Sequence, residues 1–349
     1  MASVVGRQVV DRTGTLPSSA ARTGVRFLCL ILLGALLVVA IAAALAAGSV
    51  RVPIETIVSS LAHPGATGLA HTVTWDIRLP RVLIAACVGA GLGIAGAMLQ
   101  ALFRNPLVDP YLTGVSAGAA LAATLGIAAG ISFFAIPLLA FVGGLGCALI
   151  VTLVSSGHSV GANLRLVLAG VALSALCSAL VTLVLLRNGS SDALTILSWL
   201  AGGLSGRGWN DLGWAALYLA VGTAACVLLV RSLNALRLGS LAAAGLGLNV
   251  GFARLQVLGV ASLVTAACVA VSGVVGFVGL MVPHGARRLV GGDLRWLVPA
   301  SALAGATVVV IADALARTLM PPTEIPLGVL LAFVGVPFFL IIARRPVEL

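Results

Sequence analysis

Apolar runs long enough to cross a bilayer recur along the whole chain, and they limit its possible folds more than any other feature. A run of roughly 20 apolar residues spans the hydrocarbon core of a membrane as one helix. Of the 349 residues, 60% are hydrophobic and 9% are charged, whereas about 25% of the residues of a soluble domain are charged. These values exclude a soluble globular protein and predict an all-α polytopic membrane protein with one multi-span domain.

About ten transmembrane helices are predicted from these runs. A polar tail, residues 1–26, comes first and is expected in the cytoplasm, and a single transmembrane domain follows over residues 27–349. The run that begins at Phe27 is too long for the apolar part of a signal peptide, so we interpret it as the first span. The predicted spans are residues 27–48, 82–102, 112–130, 134–155, 164–186, 212–231, 254–275, 277–290, 296–316 and 327–343.

The arginines predict the orientation of the spans. All 20 basic residues are arginine. With the N-terminus inside, 14 of them fall on the inner side and six on the outer side, in agreement with the excess of positive charge on cytoplasmic loops. Ten spans then place both termini in the cytoplasm. The net charge of +10 therefore indicates membrane topology rather than nucleic-acid binding.

Residues that could carry catalysis or bind a metal are sparse. The chain has no lysine, and a Walker A loop needs one to reach the phosphates of ATP, so an ATP-driven transporter of this kind would need a separate ATPase subunit. The six cysteines are far apart and form no CxxC pair, which predicts neither a metal site nor a disulfide framework. We interpret His284, beside Arg287 and Arg288, as a structural or headgroup contact rather than a metal ligand.

Two alternatives to an ATP-driven transporter are disfavoured by the sequence: an ion-coupled secondary transporter and an intramembrane enzyme. Ion-coupled secondary transporters hold ionisable residues near the middle of the membrane, whereas the acidic residues here, including Asp76, Asp109 and Asp313, fall at or near predicted span ends. An intramembrane enzyme would need a catalytic cluster, and no HExxH motif is present. Co-purification of an ATPase subunit would separate both classes from an ATP-driven transporter.

Eight strings, in order along the chain, resemble the permease subunits of the iron–siderophore, haem and cobalamin ABC importers, the FecCD/BtuC type. The resemblance runs from about residue 50 to the C-terminus. The strings are IRLPRVLIA (77–85), GAMLQALFRNPLVDPYLTGVSAGA (96–119), RLVLAGVALSAL (165–176), WLAGGLSGRGW (199–209), AAGLGL (243–248), GFVGLMVPHGARRLVG (276–291), ADALART (312–318) and EIPLGVLLAFVGVPFF (324–339).

The resemblance implies the type II ABC importer permease fold, a bacterial cytoplasmic membrane and a set of partners. Those partners are a second permease copy (identical or homologous), two ATP-binding cassette ATPase subunits and an extracytoplasmic substrate-binding protein. No metal or cofactor is expected on this chain, and the ATPase subunits use ATP-Mg. The implied cargo is a metal chelate. The string at 203–209 looks more like siderophore permeases, which favours a ferric siderophore, with haem and cobalamin as the alternatives.

Three arginines match positions that dock the substrate-binding protein in this family. Arg78, Arg81 and Arg317 fall at predicted outer ends of spans, where the family's arginines receive carboxylates from the two lobes of that protein. Three guanidiniums around an outer mouth would steer docking. In the alternative interpretation, Arg78 and Arg81 anchor a helix at the lipid headgroups, and Arg317 pairs with Asp313 at i,i+4.

Two further sets of residues match the inner side of the family's permeases. The segment at about 239–249 matches the coupling helix that sits in a groove of the ATPase. Its predicted contacts are Gly239, Ala242, Ala243, Leu246, Gly247 and Leu248. The cytoplasmic gate is predicted at Asn105, Leu107, Asn163 and Leu164. Other members of the family carry hydroxyl residues at the second pair, so Asn163 and Leu164 depart from that pattern.

Overall fold

The computed structural model of the protein describes residues 19–48, 52–63, 65, 67–155 and 162–343, and these residues form helices joined by short connections. The α-helices are α1 Ser19–Ala46, α2 Ile54–Ala62, α3 Leu69–His71, α4 Leu79–Phe103, α5 Val115–Ala128, α6 Ile136–Ser155, α7 Ala162–Arg187, α8 Ser190–Leu200, α9 Trp209–Arg237, α10 Ser240–Gly245, α11 Val250–Ser272, α12 Val278–Val290, α13 Leu294–Thr318 and α14 Leu327–Ala343. The all-α fold predicted from the sequence is confirmed.

Every predicted span coincides with a helix, but the helices differ in length. Among the described residues, seven helices are long and apolar enough to cross a membrane. The other three predicted spans correspond to the shorter helices α5, α12 and α14. At 1.5 Å per residue, the 13 residues of α12 extend about 20 Å, which is less than the ~30 Å hydrocarbon core.

Two predicted boundaries need correction. The helix of the first span begins at Ser19, inside the predicted tail 1–26, of which residues 1–18 lie outside the described residues. The second span is predicted to begin at residue 82, yet α4 continues a helical stretch that begins at Leu69. Thr72–Arg78 forms a π-helix in this stretch. Its wider turn admits Pro80, which lacks the N–H that a regular helix needs.

Helix α4 forms the centre of the molecule and packs closely against α13. A Cβ at Gly89 would collide with the carbonyl of Gly305, and a Cβ at Gly305 would collide with the carbonyl of Gly89. Small residues of this kind bring two membrane helices together where no hydrophobic force drives them. The contact places the backbones of α4 and α13 directly against each other.

Two interruptions between α-helices, one of them a 3-10 helix that contains Tyr111, meet through this tyrosine. Residues 273–277 separate α11 from α12, and Tyr111 lies in the segment between α4 and α5. The Tyr111 hydroxyl donates to the Val275 carbonyl at 2.5 Å and accepts from the Val275 N–H at 2.9 Å. Non-helical backbone at membrane depth is stable only when its polar groups find such partners.

Gln100 provides a second polar link, between α4 and α12. Its side-chain amide donates to the carbonyls of Gly279 at 3.3 Å and Leu280 at 3.0 Å. Pro283, four residues after Gly279, has no N–H to give to that carbonyl. The Gln100 oxygen accepts from Arg287 at 3.3 Å. Gln100 therefore supplies the hydrogen bond that the proline removes and also holds Arg287.

Candidate functional site

Arg81, one of the predicted docking arginines, lies in the first turn of α4 and is held by two carboxylates. Its Nε donates to Asp313 Oδ1 of α13 at 3.0 Å. Its two terminal nitrogens pair with the two oxygens of Glu324, in the connection between α13 and α14, at 3.0 Å each. A fork-to-fork pair of this kind is the strongest common geometry between arginine and a carboxylate.

The second oxygen of Asp313 pairs with Arg317, one turn further along α13. The distance from Arg317 Nε to Asp313 Oδ2 is 3.1 Å, so the i,i+4 pair considered as an alternative is present. The side chain of Asp313 is 1% exposed. A buried carboxylate needs such charge compensation, because removing one partner of a buried ion pair leaves an unpaired charge at a cost of several kcal/mol.

Arg78 and Arg317 also cap the C-terminus of α1. Arg78 Nη1 donates to the carbonyls of Leu45 at 2.8 Å and Ala46 at 3.4 Å. Arg317 donates to the carbonyls of Ala44 at 3.1 Å and Ala47 at 3.3 Å. The last carbonyls of a helix have no partner within the helix, and they attract cations. The two arginines therefore attach the end of α1 to α4 and α13.

All three predicted docking arginines are buried within the chain. Arg78 is 4% exposed, Arg81 8% and Arg317 7%. The expectation that three guanidiniums stand exposed around an outer mouth therefore does not hold, since Arg78 and Arg317 are directed at the backbone of α1. Nothing in this geometry tests docking itself, and the docking role stays a prediction.

A cavity of about 220 Å³ opens beside Arg81. It is lined by the segment that follows α8, by the end of α11, and by the side chains of Arg81, Asp313 and Glu324. The hydroxyl of Ser205 donates to Glu324 Oε2. Arg207 also lines the cavity; it lies 5.7 Å from the centre of the Phe133 ring and pairs with Asp211 at 3.2 Å. Charged groups of both signs thus surround the cavity.

The carboxylate of Glu324 stays ionised in this setting. Burial would raise the pKa of Glu324, but hydrogen bonds from Arg81 and Ser205 and the charges of Arg81 and Arg317 together hold that pKa below its ordinary value. The opposite balance applies to Arg207, whose pKa is lowered because burial outweighs the effect of Asp211. A guanidinium remains charged even so.

The predicted coupling segment forms a short exposed helix, α10. Gly239 precedes it with φ of 109° and Gly247 follows it with φ of 81°, a backbone conformation that favours glycine. Leu246 is exposed as predicted, whereas Ala243 is fully buried against the core, so it cannot contact a partner. Of the other predicted contacts, Ala242 and Gly247 are exposed, and Gly239 and Leu248 are half-buried.

The most exposed apolar side chain of this segment is not among the predicted contacts. Leu241 is 91% exposed and follows the exposed Leu238 by three residues. The two leucines do not share a helix, because Leu238 caps the end of α9 and Gly239, with φ of 109°, separates it from α10. The signal available in the sequence was the position of Leu241 inside the segment predicted to contact the ATPase. Leu238, Leu241 and Leu246 are all exposed in this short connection, and a cluster of exposed apolar side chains is typical of a contact with another protein.

The four predicted gate residues are only partly described. Asn105 Oδ1 accepts from the N–H of Leu107 at 2.9 Å, a local turn in which the asparagine is exposed. Leu164 is exposed at the start of α7. The side chain of Asn163 lies outside the described residues. The gate therefore stays a prediction that these contacts neither support nor oppose.

Two further motifs have local structural explanations. His284 Nε2 lies 3.2 Å from Arg288 Nη2 and packs edge-on against Phe338, which fits the predicted structural role. Gly114–Gly118 matches the GxSxG spacing of some hydrolases. That motif needs a strand before the serine, whereas here a 3-10 helix precedes it and α5 follows.

Comparison with known proteins places the chain among membrane permeases. The family model of the FecCD transport family matches residues 36–345. The hemin transport system permease protein HmuU of Yersinia pestis is 40% identical over 309 residues, covering 82% of this chain and 91% of the relative. The Fe(3+)-citrate import system permease protein YfmE of Bacillus subtilis is 36% identical over 322 residues, covering 91% and 95%.

A solved structure agrees with these sequence relationships. A metal-chelate type ABC transporter in an inward-facing conformation superposes with a TM-score of 0.81 at 34% identity, covering 91% of this chain and 99% of the solved chain. The structural similarity therefore extends over most of the chain, and the family match over residues 36–345 includes the helices that carry Arg81 and Asp313.

Proposed function

The chain belongs to the FecCD transport family and is the permease subunit of a metal-chelate type ABC importer; from this premise we propose that its cargo is a ferric siderophore. The observation that carries the assignment is the family match over residues 36–345. The string at 203–209, which resembles siderophore permeases, supports the choice of cargo. The similarity to an iron–citrate permease also supports a ferric chelate as the cargo.

Haem is the second candidate cargo, because the hemin permease HmuU is 40% identical to this chain. Transport assays in liposomes that contain the assembled transporter, its ATPase and its binding protein would decide between them. We expect ATP-dependent uptake of a ferric siderophore and little uptake of haem or cobalamin at equal concentration. Preferential uptake of haem or cobalamin would contradict the proposed cargo and leave the permease assignment intact.

The chain would contribute movement and no covalent chemistry. ATP binding in two partner ATPase subunits would shift α10 and open a path between two permease copies, which we propose to be identical. The exposed Leu241 and Leu246 suit insertion into an apolar groove of the ATPase. Purified permease without its partners should hydrolyse no ATP, and ATPase activity in a rigorously purified single subunit would contradict this division of labour.

We propose that both termini face the cytoplasm of a bacterial cell, as the arginine distribution predicts. Single cysteines in a variant without native cysteines would test the orientation. A cysteine at the exposed Thr323 should react with an impermeant reagent from outside, and one at Leu241 only from inside. Reaction of both from the same face would contradict the topology.

The binding protein would dock over the end of the molecule that carries Arg81. The guanidinium fork of Arg81 lines the cavity, so it is the member of the predicted trio that an acidic partner could reach. Arg78 and Arg317 would act indirectly by fixing α1 beside the docking surface. Replacing Arg81 should therefore reduce the association rate and its salt dependence, because charges at an interface rim steer encounter.

A further inference from the structure

We propose that Glu324 occupies the guanidinium fork of Arg81 as an internal substitute for a carboxylate of the binding protein, and that docking displaces it. This inference rests on the proposed docking role of Arg81. It adds a competing ligand supplied by the permease itself, and it identifies the partner's contact as an acidic side chain that enters the cavity beside Arg81.

The two carboxylates on Arg81 differ in their ability to leave. Asp313 lies within α13, is 1% exposed and is shared with Arg317. Glu324 has a 41% exposed side chain and holds only the outward fork of the guanidinium. An incoming carboxylate can reproduce the fork-to-fork geometry of Glu324, whereas replacing Asp313 would leave Arg317 unpaired.

The chain around Glu324 permits such an exchange. Glu324 belongs to the connection 319–326, whose neighbouring residues are held by the Ile325 N–H on the Ala316 carbonyl at 3.0 Å and the Leu327 N–H on the Gly202 carbonyl at 2.9 Å. The backbone is therefore anchored directly after the glutamate. A rotation of the side chain alone can release Arg81, which requires no rearrangement of α13 or α14.

The cavity offers the displaced carboxylate a new position. Ser205 already donates to Glu324, and Arg207 lines the same cavity of about 220 Å³. The charge of Arg317, which also acts on Glu324, reduces the electrostatic penalty of losing Arg81. Exchange also keeps Arg81 paired throughout, which avoids the large penalty of an isolated buried charge.

The test compares Glu324→Gln with the charge-matched control Asp192→Asn in the full transporter. Asp192 lies in the first turn of α8 and is absent from the cavity lining. Binding-protein association would be measured by surface plasmon resonance. We expect Glu324→Gln to lower Kd roughly three- to tenfold relative to the control, because the docking-competent state is no longer a minor one. Glu324→Asp, which keeps the charge with a shorter reach, should lie between.

A second readout does not depend on the binding protein. Phenylglyoxal modifies accessible guanidiniums, and mass spectrometry of the transporter alone would report modification of Arg81. Glu324→Gln should accelerate that modification, whereas Asp192→Asn should leave it unchanged. Unchanged or slower modification, or weaker docking of Glu324→Gln, would overturn the proposal and identify Glu324 as a group that orients Arg81.

An Arg81→Lys variant separates this inference from the proposed docking role. If Arg81→Lys docks as well as the unmodified transporter, docking through the guanidinium fork of Arg81 fails, because lysine keeps the charge without the fork, and the exchange fails with it. If Arg81→Lys docks weakly while Glu324→Gln shows no gain, docking through Arg81 stands and the exchange alone is refuted. If Glu324→Gln raises the affinity for the binding protein and adding Arg81→Lys removes that gain, both the docking role of Arg81 and the exchange of Glu324 stand.

Discussion

Replacing Gln100 by leucine is expected to destabilise the permease through α12, a helix that is far from Gln100 in sequence. Gln100 is 1% exposed and donates to Gly279 and Leu280 while accepting from Arg287. Leucine has a similar size but can make none of these bonds. The carbonyl of Gly279 would then have neither donor: the amide of Gln100 would be gone, and Pro283 has no N–H to donate.

The expected loss is about 2–4 kcal/mol. A buried group left without its partner costs about 1–3 kcal/mol, and a hydrogen bond to a charged group contributes about 1.5–3 kcal/mol. Part of this loss is offset because leucine is more favourably buried than an amide. Gln100→Glu should be less harmful at Arg287, since it keeps an acceptor there, but it cannot donate to Gly279.

The reasoning is tested by a double-mutant cycle with Pro283→Ala, using reversible unfolding in mixed micelles. Alanine at 283 restores the N–H that Gly279 lacks, so the effect of Gln100→Leu should shrink by about 1 kcal/mol in that background. An equal effect of Gln100→Leu with and without Pro283→Ala would show that the proline is irrelevant to Gln100. A loss below about 0.5 kcal/mol would refute the account altogether, because it is the size expected of an ordinary surface change.

Three further predictions follow from the contacts of named side chains. Arg78→Gln and Arg317→Gln should each increase hydrogen exchange at residues 44–47, because both arginines cap the carbonyls of these residues. Arg81→Gln should not increase it, and equal exchange in all three variants would contradict the capping role. Leu241→Glu should abolish co-purification of the ATPase, while Leu194→Glu, also at an exposed leucine, should retain it; retention in both would remove α10 from the proposed interface. The gain in binding-protein affinity of Glu324→Gln should be constant between pH 6 and 8. The pKa of Glu324 is depressed, so Glu324 is protonated and its ion pair with Arg81 is lost only when the pH falls through that pKa. A gain that disappears at pH 6 would contradict an ionised Glu324.

Hydropathy was sufficient to predict the spans because it acts locally. Each long apolar run, such as the one in α11, must be buried in lipid or in the bundle wherever it occurs, and a helix is the only single-segment structure that satisfies its backbone there. The helical stretch that leads into α4 is not evident from the sequence, and the reason is again local. Asp76, Arg78 and Pro80 together are typical of a loop, and only the packed structure shows that a π-helix accommodates them.

The surroundings of the docking arginines could not be predicted, because they depend on contacts between distant parts of the chain. Arg78 meets Leu45 across 33 residues, and Arg81 meets Glu324 across 243 residues. The sequence identified Arg78, Arg81 and Arg317 through their positions in a family pattern. That pattern contains no information on which guanidiniums face backbone carbonyls and which face a cavity.

The position of α4 connects the docking region to the inner side of the molecule. Arg81 lies near the start of this helix and Gln100 near its end, and 19 residues of helix extend about 29 Å, close to the thickness of the hydrocarbon core. Asn105 of the predicted gate follows the end of α4 directly. Because Gly89 and Gly305 bring the backbones of α4 and α13 into contact, we expect a displacement of Arg81 to be shared by both helices. Opening of the path is therefore expected at the contacts of α4 and α13 with α12 and α14, which are shorter helices that contain Pro283 and Pro337.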